Sequence, residues 1–283
     1  MSKKSIWWGA GLLLMAACAF PTNAAPPPRL ERMLERLPAP VKQTIRAQVA
    51  DGKLSAIDRD NEDGRVSYDV EMVRAGRTRS FTVSDEGELI DTEVFLNELP
   101  PAVREAIRKK VGGATLGEID RSVDGDGTSY EVEVLGGGTN RSFTVDANGK
   151  LTDEDVFLSE LPADFQAGIR KEAGGGTIDG ITRSFDDDGA SYDVDLVENG
   201  RRRTLTFDAK GTLLGKEEEI ALSDAPEPVQ KEIQTHLAGG KLVAVSRVTE
   251  TGLVSFDFDI RQRGKVKSYT VGEDGRLISS EGK

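Results

Sequence analysis

A pattern that returns every 62 to 64 residues constrains this chain more than any other feature. Pro38, Pro100, Pro162 and Pro226 recur at spacings of 62, 62 and 64, and so do Ile45, Ile107, Ile169 and Ile233. Tyr68, Tyr130, Tyr192 and Phe256 keep the same offsets, as do Gly87, Gly149, Gly211 and Gly275. Self-similarity at a fixed period is the signature of one supersecondary unit repeated in tandem. Four markers in register give four units. The two additional residues of the last spacing fall between Gly211 and Pro226, in the acidic run Lys216-Glu217-Glu218-Glu219.

Each unit reads alike. A proline opens a helix, where its missing N–H costs little. An apolar stripe at i, i+4, i+8 follows: Val41, Ile45, Val49; Val103, Ile107, Val111; Phe165, Ile169, Ala173; Val229, Ile233, Leu237. That spacing marks the buried side of a helix of about three turns. Glycines at Gly52, Gly112, Gly174 and Gly239 are expected to end it with positive φ.

A first strand is expected around Ile57, Ile119, Ile181 and Val245. The second strand alternates most cleanly: Tyr68, Val70 and Met72 on one face, Asp69 and Glu71 on the other. Units two to four repeat it as Tyr130/Val132/Val134, Tyr192/Val194/Leu196 and Phe256/Phe258/Ile260, against Glu131/Glu133, Asp193/Asp195 and Asp257/Asp259. Period two with one apolar face describes a sheet covered on one side only. The third strand sets Phe81/Val83 and its equivalents inward and Ser80/Thr82 and theirs outward. A short fourth strand at Leu89, Leu151, Leu213 and Leu277 leads to the next helix through Val94-Phe95-Leu96 or Val156-Phe157-Leu158. The fold class is therefore α+β: four tandem α-β-β-β-β units, each an antiparallel meander sheet with one helix on one face. A 62-residue unit buries too little surface to be more than marginal alone. The apolar connectors suggest that neighbours share a core, with sheets docked side by side or back to back.

Composition narrows the chemistry. Of 283 residues, 37 are Lys or Arg and 49 Asp or Glu, giving a formal charge of −12. No long basic stretch offers a nucleic-acid footprint. One histidine, His236, and one cysteine, Cys18, exclude a disulfide framework and a zinc site of several Cys and His. His236 lies off the helix stripe and reads as an exposed residue, not a catalyst.

Residues 1–24 read as a secretory signal. Lys3 and Lys4 precede the apolar run from Ile6 to Phe20, and small residues stand before an expected cleavage between Ala24 and Ala25. The rival reading is a lipid anchor at Cys18. The units then span 25–96, 97–158, 159–220 and 221–283, in a periplasmic or secreted protein with no transmembrane span in the mature chain.

The unit resembles a PepSY-like domain, a family also similar to the repeat of β-lactamase-inhibitor protein. The resemblance rests on Leu37-Pro38, Leu99-Pro100 and Leu161-Pro162 before the helix, on Tyr130-Glu131-Val132, and on the closing hairpin from Phe143 to Leu151. It covers nearly the whole mature chain, and the fourth unit departs most, with Ala225-Pro226 and Phe256. The resemblance implies an exported, non-enzymatic module in a family linked to peptidase inhibition or the binding of other proteins, and it brings no catalytic residue; no metal or cofactor is expected.

The candidate binding residues are the second-strand acids Asp69, Glu71, Glu131, Glu133, Asp193, Asp195, Asp257 and Asp259, which could form a stripe facing a basic partner. They could equally keep an open sheet face solvated. Arg59, Arg121, Arg183 and Arg247 recur too; parity puts them on the apolar side, unless a bulge turns them toward the acids. The calcium-binding alternative rests on these acids and on the acidic turns such as Asp58 to Gly64. That turn departs from an EF-hand, with glycine seventh instead of sixth and Asp69 where glutamate is required.

Overall fold

The structure, a computed structural model, describes residues 28–62, 65–124, 127–136, 140–186, 189–262 and 265–282. The signal segment, Cys18 and the turn residues Asp63, Gly64, Gly125, Asp126, Gly137 and Gly264 lie outside the described residues. The first described element, α1 (Pro28–Arg36), is one the repeat does not contain. Leu30 and Leu34 of α1 are buried against the first unit, where later units use the apolar connector. The spacing Leu30, Leu34, Leu37 carries the signal for α1, but it lies ahead of the first repeat.

The periodic prolines sit one residue ahead of the helices they announce. Pro38, Pro100, Pro162 and Pro226 are the N-caps of α2 (Ala39–Val49), α3 (Pro101–Val111), α4 (Ala163–Ala173) and α5 (Glu227–Leu237). Ile45, Ile107, Ile169 and Ile233 have no exposed surface. The helix ends differ from the glycine expectation in one unit. Gly112, Gly174 and Gly239 hold positive φ as expected, with Ala238 doing so as well, but in the first unit Ala50 takes that conformation and Gly52 does not.

Each helix is followed by four strands. After α2 come β1 (Lys53–Glu62), β2 (Arg65–Arg74), β3 (Arg77–Ser84) and β4 (Leu89–Glu93). After α3 come β5 (Thr115–Asp124), β6 (Gly127–Leu135), β7 (Arg141–Asp146) and β8 (Leu151–Asp155). The third set is β9 (Thr177–Phe185), β10 (Ala190–Glu198), β11 (Arg201–Asp208) and β12 (Leu213–Glu219). The fourth is β13 (Lys241–Glu250), β14 (Leu253–Gln262), β15 (Lys265–Gly272) and β16 (Leu277–Gly282).

The units dock side by side. All sixteen strands join one antiparallel sheet in chain order, with β4 pairing β5, β8 pairing β9 and β12 pairing β13. Directly opposed residues of an antiparallel pair share a face, so the sidedness can be followed across each junction. Phe81, Thr92, Arg121, Tyr130 and Val145 form one row, and Phe143, Glu154, Arg183, Tyr192 and Phe207 another. Buried aromatics in both rows pack under helices, so the helices cover one face of the sheet. The opposite face carries the acids.

The core is not shared between neighbours. It divides into four clusters, one under each helix, and the connectors belong to the unit they enter: Val94 and Leu96 pack with α3, Val156 and Leu158 with α4. The connectors still touch the preceding unit at its surface, with Arg77 and Arg79 over the Phe95 ring and Arg141 over that of Phe157.

The periodic glycines are explained by close approach. Gly149 has φ +80°, and a Cβ there would lie 2.8 Å from the Ala102 carbonyl oxygen of α3; Gly275 repeats this against Pro228 of α5. The left-handed backbone and the helix floor both exclude a side chain.

The two additional residues lengthen one junction. β4 and β8 pair with the next unit over Asp91–Glu93 and Asp153–Asp155, whereas β12 does so over Gly215–Glu219. The fourth unit is thereby displaced along β12 by one two-residue repeat. Because side chains alternate with period two, an even insertion moves the unit without inverting its faces.

Candidate functional site

The helix-free face brings the predicted acids together in rows. Asp58 opposes Asp69, Thr82 and Asp91 follow in the same row, and Glu93, Asp120, Glu131, Thr144 and Asp153 make the next. The outward Ser and Thr of the third strands hold them: Thr82 donates to Asp69 at 3.1 Å, Thr206 to Asp193 at 2.6 Å and Thr204 to Asp195 at 2.8 Å. Ser268 donates to Asp259 and Thr270 to Asp257, each at 2.6 Å. One sequence alternation, acid on the second strand and hydroxyl on the third, therefore produces one recurring cross-strand pair. Of the eight acids, Asp69 and Glu131 are exposed, while Glu71, Glu133, Asp193, Asp195, Asp257 and Asp259 are half-buried. Read from the alternation as exposed sheet-face acids, six of the eight are in fact half-buried. Neighbouring side chains on a twisted sheet close over short carboxylates.

The acids crowd most where the first two units meet. Partial burial, then Asp91, Glu118, Glu131 and Glu93, push the Asp120 carboxyl up to about 7. Desolvation by the neighbouring strands also raises Asp91 and Glu118 above the ordinary carboxylate range, and likewise Asp69 and Glu131, whose carboxyl groups lose water to the sheet although each residue as a whole is exposed. The sequence reading missed Asp91, Glu93 and Asp120 because they lie on strands that become neighbours only when the units join. Between about pH 4 and 7 the folded chain keeps a proton on Asp120 that the unfolded chain has lost, so stability falls as pH rises through that window. We expect Asp120→Asn to stabilise the protein by about 1–2 kcal/mol at pH 8, after a discount for solvent screening. At pH 4 it should change nothing. Thermal unfolding at the two pH values measures this, and an equal shift at both would contradict it.

The recurring arginines take the apolar side, as parity indicates: Arg59, Arg121, Arg183 and Arg247 oppose Tyr68, Tyr130, Tyr192 and Phe256. Among the described residues none of them is seen in an ion pair with an open-face acid. Arg183 bonds Glu154, a carboxylate only 6% exposed that also takes Lys110 from α3. His236 occupies the helix position of Gln48, Lys110 and Glu172. It is half-buried rather than exposed, its ring 4.3 Å from that of Tyr269 and its Nε2 2.9 Å from Glu232.

Among the described residues, no group of three or more His, Cys, Asp or Glu side chains is placed to hold a metal ion. No described helix is long and apolar enough to cross a membrane.

A one-sided helix layer on a continuous meander sheet, built from a repeated helix-and-four-strand unit, defines a tandem-repeat α+β protein. The profile of the beta-lactamase-inhibitor-like, PepSY-like family matches it at residues 33–91, 66–153, 128–215 and 190–268. The chain belongs to that family, and the resemblance carried by the Leu-Pro and Tyr-acid-Val motifs is borne out. Similar solved structures include a DUF2874 family protein from Bacteroides uniformis, 19% identical with a TM-score of 0.37, covering 43% of this chain and 89% of that one. A BLIP-like protein from Bacteroides fragilis is 20% identical with a TM-score of 0.35, covering 43% and 86%. No curated protein matches the chain.

Proposed function

We propose that this is an exported, non-enzymatic protein-binding module whose helix-free sheet face takes a basic surface of its partner, acting as an inhibitor or modulator of a hydrolase. The observation that carries this reading is the recurrence of the acid–hydroxyl pair in the first, third and fourth units of one sheet. The hydroxyls fix the carboxylates in orientation, and a wide face of one sign attracts and orients a partner of the other. The raised carboxyls add a condition. A cationic partner favours their ionised forms, so its binding releases protons and strengthens from pH 6 to pH 8.

The test is affinity capture from periplasm or culture medium with the mature chain as bait, beside the variant Glu131→Gln/Glu133→Gln/Asp193→Asn/Asp195→Asn. A specific partner should be retained by the parent and about tenfold less by the variant, with retention declining in salt. Equal retention by both would defeat the proposal. Retention that requires calcium and disappears in chelator would favour the calcium-binding alternative.

A further inference from the structure

On the helix side, the three junctions between units occupy one structural position with three different chemistries. The position is set by the fourth-strand residue facing the core: Thr92, Glu154 or Lys216, opposite Phe81, Phe143 or Leu205. A residue from the last turn of the preceding helix stands beside it, Gln48, Lys110 or Glu172. At the second junction Glu154 is bonded to Lys110 and Arg183. At the third the polarity is reversed, with Lys216 2.6 Å from Glu172. Arg247, displaced by the two-residue insertion, there opposes Glu218. Both junctions close on a charge pair of their own.

The first junction does not. Thr92 stands where Glu154 stands and Gln48 where Lys110 stands, while Arg121 keeps the place of Arg183. The smaller side chain leaves a cleft of about 410 Å³, lined by Gln48, Thr92 and Arg121 beside Arg74, Arg79 and Glu98. Two of its three arginines are committed. Arg79 holds Glu98 at 2.7 and 2.9 Å, and Arg74 donates to the Gln48 and Val49 carbonyls at 2.7 and 3.0 Å and lies 3.2 Å from Asp51. Glu98 also accepts the Phe95 N–H at 3.0 Å. Arg121 has no hydrogen-bond or ion-pair partner among the described residues, and its buried Nε is unsatisfied. The Thr92 hydroxyl, on a residue 5% exposed, is buried and unpartnered as well. A buried polar group left without a partner carries a desolvation penalty that a ligand can relieve.

We infer that this cleft is a binding site for a carboxylate with an apolar body, whose carboxyl group takes the place Glu154 fills one unit later. Arg121 and the Thr92 hydroxyl both donate to it, and a guanidinium matches a carboxylate in bidentate geometry. Met72, Val94, Leu99 and Tyr130, all buried at the cleft wall, supply the surface for the apolar portion. The site faces away from the acidic sheet face and does not rest on the protein-binding proposal.

The experiment titrates the mature chain with hexanoate and its neutral control hexanamide, and with N-acetyl-leucine and N-acetyl-leucinamide, following the Nε–H resonance of Arg121 by NMR. Saturable shifts are expected with the acids and not with the amides. Hexanoate alone would identify a free aliphatic acid as the source, and N-acetyl-leucine a peptide C-terminus. Thr92→Glu supplies the carboxylate internally and Arg121→Gln removes its partner, so each should weaken acid binding about tenfold or more. Thr92→Glu should also raise the unfolding temperature, which shows that its loss of binding is not a loss of fold. The inference is overturned if neither acid shifts Arg121, if the amides shift it equally, or if Thr92→Glu binds the acids as the parent does.

Discussion

Deleting Glu217 alone is expected to destabilise the fourth unit by about 3–5 kcal/mol, whereas deleting Lys216 and Glu217 together should cost under about 1 kcal/mol. The larger deletion does the smaller damage because of the two-residue pleat. β12 serves two masters: its register with β11 is set by Leu205 opposite Lys216, and its register with β13 by Glu218 opposite Arg247. Removing one residue between those pairings puts the two registers out of phase. The strand must bulge, or the stretch beyond it must be pulled out of place. That stretch includes Ile220, whose N–H donates to the Val245 carbonyl at 2.9 Å, and Leu222; both pack on the fourth core. Removing two residues restores phase and places Glu218 opposite both Leu205 and Arg247, the arrangement Glu154 has with Phe143 and Arg183. Denaturant unfolding gives the loss in stability. Hydrogen exchange of β14 shows whether it is confined to the fourth unit. Equal losses for the two deletions would mean that phase does not govern the junction.

The same pleat explains what could be read in the sequence. Period-two alternation and a recurring Leu-Pro are local properties, so the helices, the four strands of each unit and the face bearing the acids were all legible. So was the side taken by Arg121 and Arg183, because parity from Ile119 and Ile181 is a local count. What joins one unit to the next was not. Whether β4 would pair with β5 depends on two edges far apart in the chain, Asp91–Glu93 and Asp120–Ser122, and nothing in either edge states its partner. The crowding of Asp91, Glu93, Asp120 and Glu131 exists only after that pairing, so the carboxyl with the highest pKa lay outside the predicted eight. His236 was misplaced for a related reason: an off-stripe residue at the last helical turn reaches over the sheet, and in the fourth unit it finds Tyr269. The positive φ at Ala50 and Ala238 shows that the helix ends are set by the descent into the first strand, with glycine preferred rather than required.

Replacing Glu154 by Thr should cost about 3 kcal/mol, and the double change Glu154→Thr/Lys110→Gln should cost less than the sum of its two parts by about 1 kcal/mol. Glu154 is 6% exposed, and it lies between Lys110 and Arg183, whose side chains are 39% and 34% exposed. Taking away the carboxylate leaves both cations facing each other at the edge of the core, and burial already lowers the Lys110 pKa from its ordinary value, with Arg183 and Arg141 adding to it. Their partial exposure keeps the loss at the lower end for a broken buried pair, since each head group can turn toward water. Removing the Lys110 charge as well abolishes the repulsion, so part of the stability returns. The double variant carries Thr and Gln where the first junction has Thr92 and Gln48, with Arg183 in the role of Arg121. Two further readings of the same protein then follow from one physical cause. Its stability should fall less steeply with salt than that of the parent, because an ion pair has gone. It should also acquire a second saturable hexanoate site, reported by the Arg183 Nε–H, that the parent lacks. Strictly additive losses would show that Lys110 and Arg183 do not sense one another through Glu154. A stable double variant that binds no second equivalent would show that the open charge at the first junction depends on more than the identity of these three side chains.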